Sequence, residues 1–278
     1  MAESSSDRAY TMGRSQEETE RLIQQSGLYE DITGRLLRDA GLFTGMKVLD
    51  IGSGAGDVAF AAAELVGSKG EVLGVDMNPE ILETARTRAE AAGLANVQFV
   101  AGDAQALDLP NDFDALIGRL VLMYLPNPTE TLKQLATHLC PGGIVAFQEV
   151  EFSTYSSIAR PDTPMMNQLA EWGVEVFRRS GANVGMGLDL YSTFVDAGLP
   201  EPSLQYSAPV GGPETWIGYQ FITAAFQSIL PLLERFEIAT AEEVDLDTLA
   251  QRLRAEVVAS KRPLILPPHI TAWAQLPT

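Results

Sequence analysis

A chain of 278 residues with 46 % hydrophobic and 20 % charged residues has the composition of an ordinary globular protein, long enough to bury a sizeable core. Its formal charge of −18 argues against the basic surface that nucleic acid or docking on anionic lipid requires, and with no apolar run of spanning length neither nucleic acid nor membrane insertion is expected of it. The single cysteine, Cys140, excludes an internal disulfide and a cysteine-rich metal site. With no leader-like start and no apolar run of membrane-spanning length, the expected compartment is the cytoplasm.

Residues 1–14 are polar. "SQEE" then makes a capping box, Ser15 with Glu18, which opens a helix stopping at Gly41, with Gly27 and Gly34 as places for it to break. From Met46 short apolar runs alternate with helical segments. "MKVLDI" is a strand and "VAFAAAELVG" a helix; "EVLGVD" is a strand and "PEILETARTRAEAAG" a helix capped by Asn78 with Pro79 in its first turn. "VQFVAG" and "FDALIGRL" are strands, "PTETLKQLATHLC" is a helix for which Asn127 and Pro128 repeat that start, and "GGIVAFQEV" is a fifth strand. Continuous apolar strands separated by helices predict a parallel sheet covered on both faces. Beyond Phe152 the rhythm is lost: helices are expected at "MMNQLAEWGVEVFRRSG" and "LDLYSTFVDAG", a strand at "PSLQYSAPV", a mostly helical insertion at 213–262 and a last strand at "HITAWAQL".

"VLDIGSGAGD" ends the first strand with glycines at 52, 54 and 56, more backbone freedom than a turn needs. In a doubly wound sheet the ligand lies at this place, outside the carboxyl ends of the strands. The spacing differs from the G-x-G-x-x-G of a dinucleotide site, and the acids Asp50 and Asp57 on either side would repel a pyrophosphate. Asp76, ending the second strand, suits the two hydroxyls of a ribose, and Asp103 suits an exocyclic amine. None of the seven tyrosines is followed four residues on by lysine, which removes a short-chain dehydrogenase.

"VLDIGSGAGD", "VLGVDMNPE", "VAGDAQALDLP", "FDALIGRLVLMYLPNP" and "LCPGGIVAFQE" together resemble, over about residues 44–151, the successive motifs of the class I S-adenosylmethionine-dependent methyltransferases. The resemblance is nearest to the ubiquinone/menaquinone-biosynthesis-like small-molecule branch. It implies an α/β fold: a doubly wound, Rossmann-like, mostly parallel seven-stranded sheet with an antiparallel last strand and helical lid insertions. It implies S-adenosyl-L-methionine as cofactor. The backbone of Gly52, Ser53, Gly54 and Gly56 would hold its methionine and ribose part, Asp50 would orient the loop, and Asp76 would take the ribose hydroxyls. Met77 would lie on the adenine, Asp103 and the Ala104 N–H would serve its polar edge, and Arg119 and Leu120 would line the sulfonium end. For Arg119 a structural ion pair stands beside that reading.

The expectation is one domain over 1–278, with a core of about 44–152, 188–210 and 265–278 and lid segments 1–40, 153–187 and 213–262. The lid segments carry aromatic and methionine side chains that suit a small hydrophobic acceptor, among them Tyr10, Tyr29 and Trp172; Tyr124 is a further candidate from the segment after the fourth strand. Where the acceptor needs a base, Glu149 after the fifth strand and His269 before the last are the candidates, with a solvated strand-end acid and a surface cap as the alternatives. His138, ending a crossover helix, is read as structural. No metal is expected, because the segment after the fourth strand lacks clustered acids. The rival function is a cofactor-binding protein without methyl transfer, serving as scaffold, regulator or non-redox cyclase. Partners reduce to a small molecule, and a homo-oligomer stays open.

Overall fold

The computed structural model describes residues 16–155, 163–212 and 214–278, with side chains from Leu28 onward. Tyr10 and Ser15 lie outside the described residues. The chain divides into two compact units.

The larger unit comprises Tyr29–Glu149, Met186–Ser207 and His269–Thr278. Its strands are β1 (Lys47–Ile51), β2 (Glu71–Asp76), β3 (Val97–Ala101), β4 (Phe113–Arg119), β5 (Leu139–Val150), β6 (Ser203–Ser207) and, last in the chain, β9 (His269–Gln275). They form one seven-stranded sheet in the order β3-β2-β1-β4-β5-β9-β6. The pairs β1–β2, β2–β3, β1–β4 and β4–β5 are parallel, and β6–β9 is antiparallel. This is the doubly wound sheet that the alternating pattern predicts. The order reverses beside β1, which makes the end of that strand the place for a ligand.

Helix α2 (Asp57–Val66) shows why the layers fit. Ala59, Ala62 and Ala63 are buried, and their small side chains let the helix lie close against the sheet, where Val48, Val72, Ala115 and Ile117 complete the core. Helix α3 (Pro79–Ala91) starts as expected, with the Asn78 side chain accepting from the Glu80 N–H. Helix α4 (Pro128–Leu135) does not repeat this start: Asn127 takes φ −144°, ψ 72°, and its side chain makes no cap. The chain then enters β5 at Leu139, earlier than "GGIVAFQEV", because Leu139 pairs with Phe113 ahead of a register shift. Helix α6 (Met186–Asp196) matches "LDLYSTFVDAG" and packs on α4 and β9.

Helix α1 (Gln16–Asp39) is continuous, so Gly27 and Gly34 do not interrupt it. At Gly34 the space of a missing side chain is filled by the Arg38 guanidinium one turn on.

The smaller unit takes its described residues from Met1–Leu28, Val150–Gly185 and Ala208–Pro268. Helices α5 (Pro164–Arg179), α7 (Gly218–Arg235), α8 (Ala241–Val244) and α9 (Leu246–Ser260) pack on one another. A two-stranded ribbon joins β7 (Val210–Gly211) to β8 (Leu264–Ile265). "PSLQYSAPV" is thus split, because Pro209 has no N–H to continue the ladder; its carbonyl accepts from Leu266. The first amides of α5 are satisfied from afar, Met165 N–H and Met166 N–H donating to the Glu256 carboxylate of α9 at 2.8 and 3.3 Å. No described helix is long and apolar enough to cross a membrane.

Candidate functional site

The ends of β1 and β2 carry the glycine loop. Gly52, Gly54 and Gly56 take φ of 64°, 52° and 92°, all left-handed. A Cβ on Gly52 would come within 2.6 Å of a Val121 methyl, and one on Gly56 within 2.6 Å of the Phe60 ring. At these two positions the chain's own turn and packing demand glycine, a stricter reason than close approach by a ligand. Asp76 braces the loop: its carboxylate accepts from Gly54 N–H and Asn78 N–H, each at 2.9 Å. Burial raises its pKa above the usual carboxylate range, against the pull of those amides and that of Met77.

Asp50 is fully buried, and both its carboxylate oxygens lack a hydrogen-bond partner. Desolvation holds its pKa well above the ordinary value, opposed by the Arg119 charge and reinforced by Asp76 and Asp57. The Ala59 amide also favours the charged form, without closing a bond of normal geometry. The buried Ser53 Oγ is likewise without a partner. Met77 stands 62 % exposed just past β2. Asp103 is exposed past β3, its Oδ1 accepting from Gln105 N–H at 2.9 Å, and Ala104 beside it is half-buried.

Past β4 the chain turns sharply. Leu120 has φ 55°, and its N–H donates to the Gln148 carbonyl at 2.9 Å. Glu149 Oε1 then accepts from Val121 N–H at 3.0 Å and Leu122 N–H at 2.8 Å. Glu149 is neither a solvated strand-end acid nor open to an acceptor along this oxygen; it grips the turn that includes the half-buried Tyr124. Oε2 is buried without a partner, and desolvation pushes the carboxyl pKa up to about 7. Trp172 sits half-buried on α5 of the smaller unit.

A line of polar side chains crosses the same rim. Arg88 and Arg119 both reach Asp57, at 2.7 and 3.6 Å. Arg119 Nη1 donates to Thr33 Oγ1 at 3.1 Å, and Thr33 Oγ1 lies 2.8 Å from Gln148 Oε1. Gln148 Nε2 lies 2.9 Å from His269 Nδ1. Arg119 is therefore in an ion pair, and His269, 2 % exposed, is no surface cap. The Tyr29 ring lies over the imidazole with centroids 4.0 Å apart, so Tyr29 is packed in the core. Burial and the Arg119 charge lower the His269 pKa to about 3, which leaves the ring neutral. His138, by contrast, is a peripheral ring 3.1 Å from the Pro110 carbonyl.

Thr33 and Gln148 escape a sequence reading, because they meet across 115 positions. One signal was there: a glutamine interrupts the apolar run of "IVAFQEV". Among the described residues no group of three His, Cys, Asp or Glu side chains is arranged to hold a metal ion.

Residues 42–186 match a family model described as a methyltransferase domain. Over 128 residues the chain is 38 % identical to aklanonic acid methyltransferase DauC of Streptomyces sp. (strain C5), covering 45 % of this chain and 58 % of that protein. Over 172 residues it is 30 % identical to the ubiquinone/menaquinone biosynthesis C-methyltransferase UbiE of Coxiella burnetii, covering 58 % of this chain and 69 % of that one. The match to the first of these is thus less than two thirds of its length. The fold is similar to that of an S-adenosylmethionine-dependent methyltransferase from Aquifex aeolicus, with a TM-score of 0.53 at 21 % identity over 70 % of this chain and 92 % of that one.

Proposed function

We propose, from the premise that this chain belongs to the class I S-adenosylmethionine-dependent methyltransferases, that it transfers a methyl group to a small hydrophobic metabolite. The observation that carries the reading is Asp50, a fully buried carboxylate with both oxygens unpartnered beside the glycine loop. Such a group is costly to bury alone, and a ligand bearing positive charge relieves it. With Asp57 and Asp76 close by, a pyrophosphate does not fit, whereas an adenosyl compound with an ammonium and a sulfonium does.

In this reading the backbone from Gly52 to Gly56 cradles the methionine and ribose part, and Asp50 serves the ammonium. Asp76 takes the ribose hydroxyls, which asks for a carboxylate held as firmly as its two amide bonds hold it. Met77 lies on the adenine, Asp103 and the Ala104 N–H meet its polar edge, and Leu120 lines the far end, with Arg119 kept in its ion pair with Asp57. The bound compound supplies a methyl group on a cationic sulfur that leaves as a neutral thioether. No acid is needed for that departure, so the protein acts mainly by alignment and exclusion of water. Glu149 holds the turn from Leu120 to Tyr124 in place through Oε1, which two amides share, while its unpartnered Oε2 stays eligible to take a proton from the acceptor. The relatives named for aklanonic acid and for ubiquinone/menaquinone biosynthesis support a small organic acceptor.

The chain is proposed to work as one cytoplasmic methyltransferase, with segments 1–40, 153–187 and 213–262 recognising the acceptor. Proteolysis tests this: those segments are expected to gain protection when cofactor and acceptor are both present. The test of the function itself is incubation with methyl-labelled S-adenosylmethionine and a metabolite extract. Label in a solvent-extractable product is expected; cofactor that binds and stays intact would favour a scaffold or regulator and sink the proposal.

A further inference from the structure

Arg119, Gln148 and His269 stand at the carboxyl end of the sheet on three neighbouring strands. Arg119 and Gln148 are register partners of β4 and β5, and the Gln148 side chain reaches His269 at the start of β9. Thr33 joins them from α1. What this row does depends on where the protons lie.

Arg119 has only donors, so the Thr33 hydroxyl accepts from it and keeps its own proton to give. Two acceptors compete for that proton, Gln148 Oε1 at 2.8 Å and the Tyr29 carbonyl at 3.2 Å. The shorter contact places it on the glutamine oxygen. The other end of the amide is then an NH2, which donates to His269 Nδ1 at 2.9 Å. An imidazole that accepts at Nδ1 and is neutral carries its proton on Nε2. The bond to Gln148 is the one the His269 side chain makes among the described residues, and Nε2 is not among the atoms sealed away without a partner, so its N–H opens onto free space. An N–H on an otherwise buried ring that opens this way is available to a group that accepts.

We infer that Gln148 and Thr33 are positioning residues that fix His269 as an Nε2–H donor, and that the donor serves an oxygen atom of the methyl acceptor. The acceptor half rests on the methyltransferase reading; the proton assignment does not. The chemistry of the acceptor follows from the sign of its surroundings. An N–H donor favours a lone pair and opposes an ammonium, whereas the Arg119 charge is shared with Asp57 at 3.6 Å and leaves the selection to that donor. The row thus selects an apolar compound bearing a carbonyl, phenolic or enolic oxygen over an amine. It also removes His269 from the role of base, since its Nδ1 lone pair is committed to the glutamine.

The experiment is 15N NMR of histidine-labelled protein, which has only His138 and His269 to resolve; a His138→Gln variant assigns them. The expected signature for His269 is a protonated Nε2 and an unprotonated Nδ1, unchanged from pH 5 to pH 8. A protonated Nδ1 in the wild-type protein overturns the assignment. In Gln148→Glu a carboxylate replaces the donor, so Nδ1 is expected to become protonated; a signature that stays as in the wild type overturns the role of Gln148. Where that variant fails to fold, Thr33→Val serves, and it is expected to give a mixture of the two tautomers, with an unmixed wild-type signature counting against the chain of bonds. For the acceptor half, saturating 1-naphthol is expected to shift the Nε2 resonance and naphthalene to leave it in place. No shift with 1-naphthol, or equal shifts with both, overturns it. The wild-type signature is read without cofactor or acceptor. A failed labelling assay beside an intact signature therefore sinks the methyl-transfer reading alone.

Discussion

At the ends of β1 and β2 the shape of the rim is set by main chain: three left-handed glycines, their amides, and one aspartate that accepts from two of the neighbouring N–H groups. At the ends of β4, β5 and β9 it is set by side chains, with Arg119, Thr33, Gln148 and His269 passing hydrogen bonds along a row and Glu149 gripping the turn between. A backbone site is encoded in a few adjacent residues and fails sharply when one is changed. A side-chain row is encoded across the whole chain, and each link has its own modest worth.

The largest effect is expected from Gly52→Ala. The new Cβ meets Val121 at 2.6 Å and the residue keeps a left-handed φ, which together cost about 3 kcal/mol. Urea unfolding checks it, and a midpoint equal to that of the wild type would show that the backbone end is less strict than described. Asp76→Asn keeps the shape but loses the charge that braces the loop and that the proposed function assigns to the ribose. Affinity for S-adenosylmethionine in equilibrium dialysis is expected to fall about 100-fold, near 2.7 kcal/mol, with the far-ultraviolet circular dichroism unchanged. Thr33→Val, on the side-chain end, leaves Arg119 and Gln148 each short of a partner; a loss of about 2 kcal/mol is expected in the same urea assay.

Glu149→Gln gives the sharpest sign. The folded protein holds this carboxyl pKa at about 7, above the ordinary 4.5. The unfolded chain therefore ionises first, and stability falls as pH rises from about 4.5 through about 7, then levels off. The glutamine variant still accepts from Val121 and Leu122 with its amide oxygen but does not titrate. Its melting temperature is expected to lose that slope and to exceed the wild type's by a few degrees at pH 8. An identical slope in both proteins would move the titration to another group.

The same contrast explains what could be read from the sequence. The places of Asp50, the glycines and Asp76 at the ends of β1 and β2 were legible because strand, turn and acid follow one another within the span from Lys47 to Asp76, and the doubly wound parallel sheet follows from the alternation of elements. Asn78 was legible as a cap because the cap is local; Asn127, with the same Asn-Pro start, makes none, its backbone turned to φ −144°, ψ 72° where Asn78 has φ −97°, ψ 107°. The tasks of Glu149 and His269 were not legible. Both were placed at the right end of the sheet, yet their partners, the amides after Leu120 and the Gln148 side chain, are fixed only once three strands lie side by side. The Glu256 carboxylate that completes the start of α5 illustrates the same limit in the smaller unit, 91 positions from the amide it serves.

The methyls of Val121 occupy the volume that a side chain at position 52 would need. The turn after β4 and the loop after β1 are thus cogs of one train, and neither advances without the other. The Arg119–Asp57 ion pair ties the same two segments a second time, by charge. Shaving that valine to alanine would free the teeth and leave the charge to keep the two in time.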